Sequence, residues 1–344
     1  MYIIIASQDP KPEDGMRSRC IVFEAPNRVK MGEIDVPKPG VGQVLTRTLY
    51  TGVSTGTETR VLRGGETAAF PLIPGYENVG EVIEVGEDVS YKPGDIVYVG
   101  SSEFTGPYTK CWGAQLEIAL ANADNLISVP YGLDPLLALY VKVGGIALHG
   151  IKRARVTADD RVVVVGLGLI GHLAAQSAKA FGAQVIAVDK DDERLQIAQT
   201  AGFDYVLDAK TVDVEARVKE ITAGGADVAV DATGVAAAVD QTAQLVHGKP
   251  WAPPYPPSAR VVLLGSYTEP VAFSYHPTLF GNEPDILPSR DVVREDLLEM
   301  MQLIAAGRVK AEILPARIYK AADAPRAYEE LVGQKLMRIV FDWR

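Results

Sequence analysis

Residues 166–171 read Gly166-Leu167-Gly168-Leu169-Ile170-Gly171, a G-x-G-x-x-G, and Asp189 stands eighteen residues beyond the last glycine. Alone, the pattern is weak. Its setting strengthens it: the β-branched run Arg161-Val162-Val163-Val164-Val165 comes before it, and a helical stretch from Leu169 to Phe181 comes after. Gly166 permits a tight turn, Gly168 lets the backbone approach a pyrophosphate, and Gly171 lets the helix pack closely on the strand. The helix start at Leu169 and Ile170 offers N–H donors and a partial positive charge to phosphate oxygens. Asp189 can accept hydrogen bonds from a ribose diol and repels a 2′-phosphate, which favours NAD over NADP. Lys190 and Arg194 dilute that preference, since either could reach a phosphate. The turns Asp231-Ala232-Thr233-Gly234 and Gly265-Ser266-Tyr267 follow later strand-like runs, so Thr233 and Gly265 are further candidates to line the cofactor, with plain βα turns as the alternative.

The elements that must position these residues fall into two textures. The first half is punctuated by glycine and proline and contains the β-prone runs Cys20 to Phe23, Gln43 to Tyr50, Val79 to Gly86 and Ile96 to Val99, as a small antiparallel barrel requires. Near residue 135 the pattern changes. Leu136 to Ala154 reads as one helix, and strands at Arg161 to Val165, Gln184 to Val188, Asp227 to Val230 and Arg260 to Leu264 alternate with helices. That repetition predicts a doubly wound parallel sheet, an α/β fold. A helix from Val292 to Ala306 and a mixed tail ending in Met337 to Phe341 follow. The proline-rich segment 249–257 lies before a strand, at the edge of the sheet away from ligands, and reads as a stiff surface or subunit-contact loop.

Across nearly its full length the chain resembles the medium-chain dehydrogenase/reductase superfamily. The matching pieces are Gly52-Val53-Ser54-Thr55-Gly56-Thr57-Glu58, Pro74-Gly75-Tyr76-Glu77-Asn78-Val79-Gly80, the turn Pro93-Gly94-Asp95, Gly113-Ala114 and the glycine-rich motif. The resemblance implies a GroES-like β-barrel catalytic domain built from both ends of the chain, with a Rossmann NAD-binding domain between them. The expected boundaries are 1–142, 143–288 and 289–344. It also locates the family's catalytic zinc ligands, which fall here at Ser54 or Thr55, at Tyr76 and at Lys142. Thiolate, imidazole and carboxylate are the usual zinc donors, and none of these residues supplies one. The structural zinc of the family needs four clustered cysteines, and only Cys111 lies in that region. The expectation is therefore no zinc at either place. His149 and His172 sit in helical stretches and read as structural residues.

Without a metal, oxidation of a secondary alcohol needs another source of positive charge and a proton-transfer group. Lys142 is the candidate cation: about 4 Å from an alkoxide it contributes roughly 4 kcal/mol at an effective dielectric near 20. Tyr76 is the candidate proton-transfer group, with its pKa expected to fall beside that cation. Ser54, Thr57 and Glu58 are candidates to relay the proton or bind substrate hydroxyls. An ion pair of Glu58 with Arg60 or Arg63 is the plainer alternative. The resulting expectation is a zinc-independent, NAD-dependent dehydrogenase of a polyol, cyclitol or sugar-like alcohol. A zinc-lacking quinone or enone reductase and a non-catalytic NAD-binding protein are the alternatives. The S-T-G-T-E and P-G-Y-E pair is also similar to a zinc-lacking branch that includes bacteriochlorophyllide dehydrogenases.

Bulk properties agree with a small-molecule enzyme. The 344 residues exceed one ordinary core, 47% are hydrophobic and 23% charged, and the net charge is -10. An acidic chain argues against nucleic acid or an anionic membrane as partner. Two cysteines, Cys20 and Cys111, suit a reducing cytoplasm. The apolar opening Met1 to Ala6 is too short for the core of a signal peptide. The family resemblance adds an expected homodimer.

Overall fold

Val162, Val163 and Val164 have no solvent exposure, as a strand covered on both faces demands. That strand, β1 (Arg161–Val165), is the centre of a six-stranded parallel sheet with β2 (Gln184–Asp189), β3 (Tyr205–Asp208), β4 (Val228–Asp231), β5 (Arg260–Leu263) and β6 (Asp285–Pro288), in the order β3-β2-β1-β4-β5-β6. The chain leaves β1 towards β2 on one side and later returns to β4 on the other. The crevice where the order reverses lies beyond the carboxyl ends of β1 and β4, where the glycine-rich turn sits. This is the computed structural model of the chain, describing residues 15–65, 69–333 and 336–344. The opening Met1 to Ala6 lies outside them.

The helices of this unit are α1 (Val141–Arg153), α2 (Leu169–Ala180), α3 (Asp192–Ala201), α4 (Val214–Thr222), α5 (Ala236–Ala243) and α6 (Arg294–Ala305). Helix α1 packs on α2 and α6. For that reason the compact unit around the parallel sheet runs from Pro130 to Arg317 and takes in Leu336–Arg338. It starts before the boundary expected at 142 and extends past the one expected at 288. The single helix expected over 136–154 is two, Pro135–Ala138 and α1. The Leu139 carbonyl between them accepts from the Arg338 guanidinium at 3.1 Å, and that guanidinium lies 4.3 Å from the centre of the Tyr140 ring.

The second unit comprises the chain up to Val129 with Ile318–Lys335 and Ile339–Arg344. Its strand Gln43–Val53 pairs antiparallel with Asn78–Val85, with Ile118–Asn122 and with the tail strand Ile339–Asp342, so both ends of the chain build one sheet. A smaller sheet orders Arg28–Val36, Met16–Ala25, Leu72–Ile73 and Thr109–Lys110. The inward residues Cys20, Val22, Ile34, Val36, Val44 and Val82 form one core. This is the strand-rich, two-ended barrel expected from the sequence.

The proline-rich segment is exposed from Trp251 to Ser258, and Trp251 reaches 87% exposure. It borders a cleft of about 780 Å³ that Tyr255, Tyr275 and Phe280 also line. Among the described residues, no helix is long and apolar enough to cross a membrane.

Candidate functional site

The dinucleotide cradle forms where β1 ends. Gly166 has φ +89°, a conformation that side chains rarely adopt, and a Cβ there would press on the backbone of Ala232 and Thr233 after β4. The two turns at the switch point therefore touch. A Cβ on Gly171 would fall far inside 3.0 Å of the Gly166 carbonyl oxygen, so only glycine lets α2 start this close to the strand. At Gly168 a Cβ would meet nothing within 4 Å, which leaves open space over the start of a twelve-residue helix. The unused N–H groups at that start face the opening an anionic group would fill. The residues present fit a dinucleotide pyrophosphate.

Asp189 ends β2 and is 8% exposed. Its Oδ2 accepts from the Leu167 N–H inside the glycine-rich turn at 2.5 Å, and its Oδ1 accepts from the Lys190 and Asp191 N–H groups at 2.7 and 3.0 Å. Three backbone donors fix the carboxylate, whose remaining lone pairs are suited to a ribose diol. Arg194 Nη1 lies 3.5 Å from Asp189 Oδ2, so its charge is turned towards the carboxylate. Lys190 is exposed. The Thr233 hydroxyl donates to Asp231 Oδ1 at 2.8 Å and accepts from the Val235 N–H at 3.0 Å, which makes it a turn brace before α5. The Gly265 N–H donates to the Asp231 carbonyl at 2.9 Å.

Asp231 is a member of this region that the sequence did not single out. It has no exposure, and hydroxyls of Thr233, Thr242 and Tyr267 each donate to it at 2.8 Å. Burial and Asp231 together push the Tyr267 phenol up, so it stays protonated and donates. Tyr267 comes two residues after Gly265, and no spacing rule marks it.

In the other unit, Ser54 precedes the helix Thr55–Leu62. Tyr76 follows Gly75, whose φ of +89° swings the chain tightly past Gln115. The Tyr76 carbonyl accepts from the Tyr98 hydroxyl at 2.5 Å, and its ring meets the Trp112 ring edge-on at 5.1 Å. The Tyr76 hydroxyl is hydrogen-bonded with Ser54 and Thr57. The structure thus brings together four of the five expected catalytic residues: Ser54, Thr57, Glu58 and Tyr76.

Two electrostatic expectations need correction. Burial pushes the Tyr76 phenol up, Glu77 and Glu58 add to the rise, and the Ser54 and Thr57 bonds only partly oppose it. The direction is opposite to the expected lowering, because burial and two neighbouring carboxylates disfavour the phenolate. Glu58 is not an exposed partner for Arg60 or Arg63. It has no exposure and accepts from the Ser54 N–H at 3.0 Å, the Tyr328 hydroxyl at 2.6 Å and the Gln115 amide at 3.4 Å. Burial pushes its carboxyl up to about 7, against those three donors and with Glu77 adding to the rise.

Lys142 belongs to the unit of the parallel sheet and pairs with Asp291 at 2.6 Å. Its charge is therefore shared with a carboxylate that the sequence did not suggest. His149 bonds Asp296 of α6 at 2.7 Å, and His172 stacks on Phe203 and is pushed down to about 4 by burial, so it is neutral. Both make their contacts within the unit of the parallel sheet.

The family's zinc can be tested against these side chains. The matching positions hold hydroxyls already engaged with one another and an ammonium in an ion pair. Among the described residues, no three His, Cys, Asp or Glu gather as a metal-ligand group. The donor set does not fit Zn²⁺.

Comparison with known proteins adds the following. Residues 40–131 match the family described as "Alcohol dehydrogenase GroES-like domain", and residues 170–306 match "Zinc-binding dehydrogenase". The chain is 30% identical to an alcohol dehydrogenase of Moraxella sp. over 94% of this chain and 98% of that protein. It is 28% identical to a sorbitol dehydrogenase of Halalkalibacterium halodurans over 88% and 92%. The crystal structure of 2R,3R-butanediol dehydrogenase from Bacillus subtilis superposes with a TM-score of 0.82 at 23% identity, covering 95% of this chain and 100% of that one.

Proposed function

We infer the activity from one premise: this chain belongs to the medium-chain dehydrogenase/reductase superfamily, as an oxidoreductase of the alcohol dehydrogenase type. We propose that it works between NAD and a secondary alcohol or ketone of polyol, cyclitol or sugar-like kind, without zinc. The observation that carries this is the Tyr76 phenol bonded to two hydroxyls at a position where the zinc-dependent members of the family hold a metal ligand. Asp189 supports the choice of NAD, since a buried, backbone-fixed carboxylate repels a 2′-phosphate. The sorbitol dehydrogenase relative supports a polyol-like substrate.

When bound, NAD supplies the hydride acceptor or, reduced, the donor. The chain's own residues handle binding and protons. The start of α2 and Asp189 hold the pyrophosphate and the ribose. Tyr76, protonated at neutral pH, donates to the oxygen of a ketone as it gains negative charge, and the Ser54 and Thr57 hydroxyls hold the phenol in place. In the oxidative direction Tyr76 must first lose its proton, so alcohol oxidation rises with pH through the alkaline range, while ketone reduction, which uses the protonated phenol, holds level from neutrality upward. Lys142, shared with Asp291, supplies the positive charge.

Tyr76→Phe is expected to lower kcat for ketone reduction by about 10²–10⁴-fold with NADH affinity unchanged. Lys142→Met is expected to lower kcat by about tenfold or more, again without loss of cofactor binding. Steady-state rates with NAD and polyols, and with NADH and ketones or enones, together with NADH fluorescence titration, check both. Unchanged turnover in Tyr76→Phe would remove the phenol from the mechanism, and faster turnover of enones than of ketones would redirect the substrate class.

A further inference from the structure

Glu58 is a titratable group, fully enclosed, that the mechanism above does not use. We propose that Glu58 is a positioning residue for Tyr76: its carboxyl anchors the Ser54 turn whose hydroxyl holds the phenol, so the proton state of Glu58 and the hydrogen bonding of Tyr76 change together. This rests on Tyr76 being the proton-transfer group.

The geometry is specific. Ser54 is bound on two sides, its N–H donating to Glu58 Oε1 at 3.0 Å and its side chain bonded with Tyr76. Thr57, the other hydroxyl on Tyr76, is the residue before Glu58 on the same helical turn. The second carboxyl oxygen, Oε2, accepts from the Tyr328 hydroxyl at 2.6 Å. Tyr328 comes from the far end of the chain, on the helix Ala324–Gly333, and its ring is fixed edge-on against Phe23 at 5.1 Å and beside Phe341 at 5.7 Å. Gln115 Nε2 adds a weaker bond to Oε2, and its Oε1 accepts from the Thr51 hydroxyl at 2.5 Å. The titratable groups facing Glu58 are Glu77, Tyr76 and Tyr328.

The consequence follows from donor and acceptor bookkeeping. Ionised Glu58 accepts from Ser54, Tyr328 and Gln115. A proton must settle on Oε2, because the Tyr328 hydroxyl can turn from donor to acceptor whereas the Ser54 N–H can only donate. The bond from Ser54 then changes from charge-assisted to neutral and weakens. The turn that carries the Tyr76 contacts loosens with it. Burial brings this change to about pH 7.

The test labels the full-length protein with tyrosine ¹³C at Cζ and follows Tyr76 by NMR from pH 5 to 9, with the signal assigned through Tyr76→Phe. The Tyr76 resonance is expected to titrate near neutrality although Tyr76 itself stays protonated. In Glu58→Gln it is expected to be flat. In Tyr328→Phe, which removes a donor to the ionised form, the midpoint is expected to move up by about one pH unit. A flat signal in the unaltered protein, the same titration in Glu58→Gln, or an unmoved midpoint in Tyr328→Phe would overturn the coupling. If the coupling is present but Tyr76→Phe turns over at the full rate, the error lies in the role given to Tyr76 and not in its link to Glu58.

Discussion

Gly171→Ala is expected to abolish dinucleotide binding and to destabilise the protein by about 3 kcal/mol. An added methyl would meet the Gly166 carbonyl oxygen, a backbone atom that cannot rotate aside, in a turn already held at φ +89° and touching Thr233. The α2 helix must then shift off β1, and the phosphate-facing N–H groups move with it. Gly168→Ala is the control. Its methyl meets nothing within 4 Å inside the protein, so the fold stays intact while the methyl occupies the space a pyrophosphate needs. Thermal melts and calorimetric NAD titration separate the two: melting point and binding both fall for Gly171→Ala, and binding alone falls for Gly168→Ala. Equal behaviour of the two variants would mean that the cradle is not built this way.

Asp189→Ser is expected to lower kcat/KM with NAD by on the order of 100-fold, the loss of charge-assisted bonds to a ribose diol. The same change releases Arg194, now 3.5 Å from the carboxylate, and leaves the exposed Lys190 beside it. Activity with NADP is therefore expected to rise as activity with NAD falls, which steady-state kinetics with both cofactors would read directly. A variant that loses activity with both cofactors equally would show that Asp189 chiefly braces the glycine-rich turn through Leu167.

The parts of the molecule that were legible from sequence are those fixed by local rules. The glycine-rich turn and Asp189 depend on one strand, one turn and one helix, and their spacing survives in the structure. Four strands of the barrel followed from β-forming residues and from glycine and proline punctuation, while Arg28–Val36 and Ile118–Asn122 did not. What was not legible depends on residues far apart in the chain. The environment of Glu58 includes Tyr328, 270 residues away, and the sequence left open whether Glu58 was a site residue or a surface ion pair, where the structure has a buried acid. Arg338 reaches back to Leu139, at the break between two helices that periodicity alone read as one. Asp291 takes the charge of Lys142 across 149 residues. The sixth parallel strand, Asp285–Pro288, was missed because four residues ending in proline carry no strand signature by themselves. The raised phenol of Tyr76 is a further case, since burial and neighbouring carboxylates cannot be read from residue type.

Turnover without a metal is the most exposed part of the proposed chemistry. The direct measurement is elemental analysis of the purified protein together with its rate of NAD-dependent oxidation of secondary alcohols before and after exhaustive chelation. The expected result is far less than one zinc per chain and an unchanged rate. One zinc per chain, with activity lost on its removal and restored on its return, would contradict a hydroxyl-based site at Tyr76.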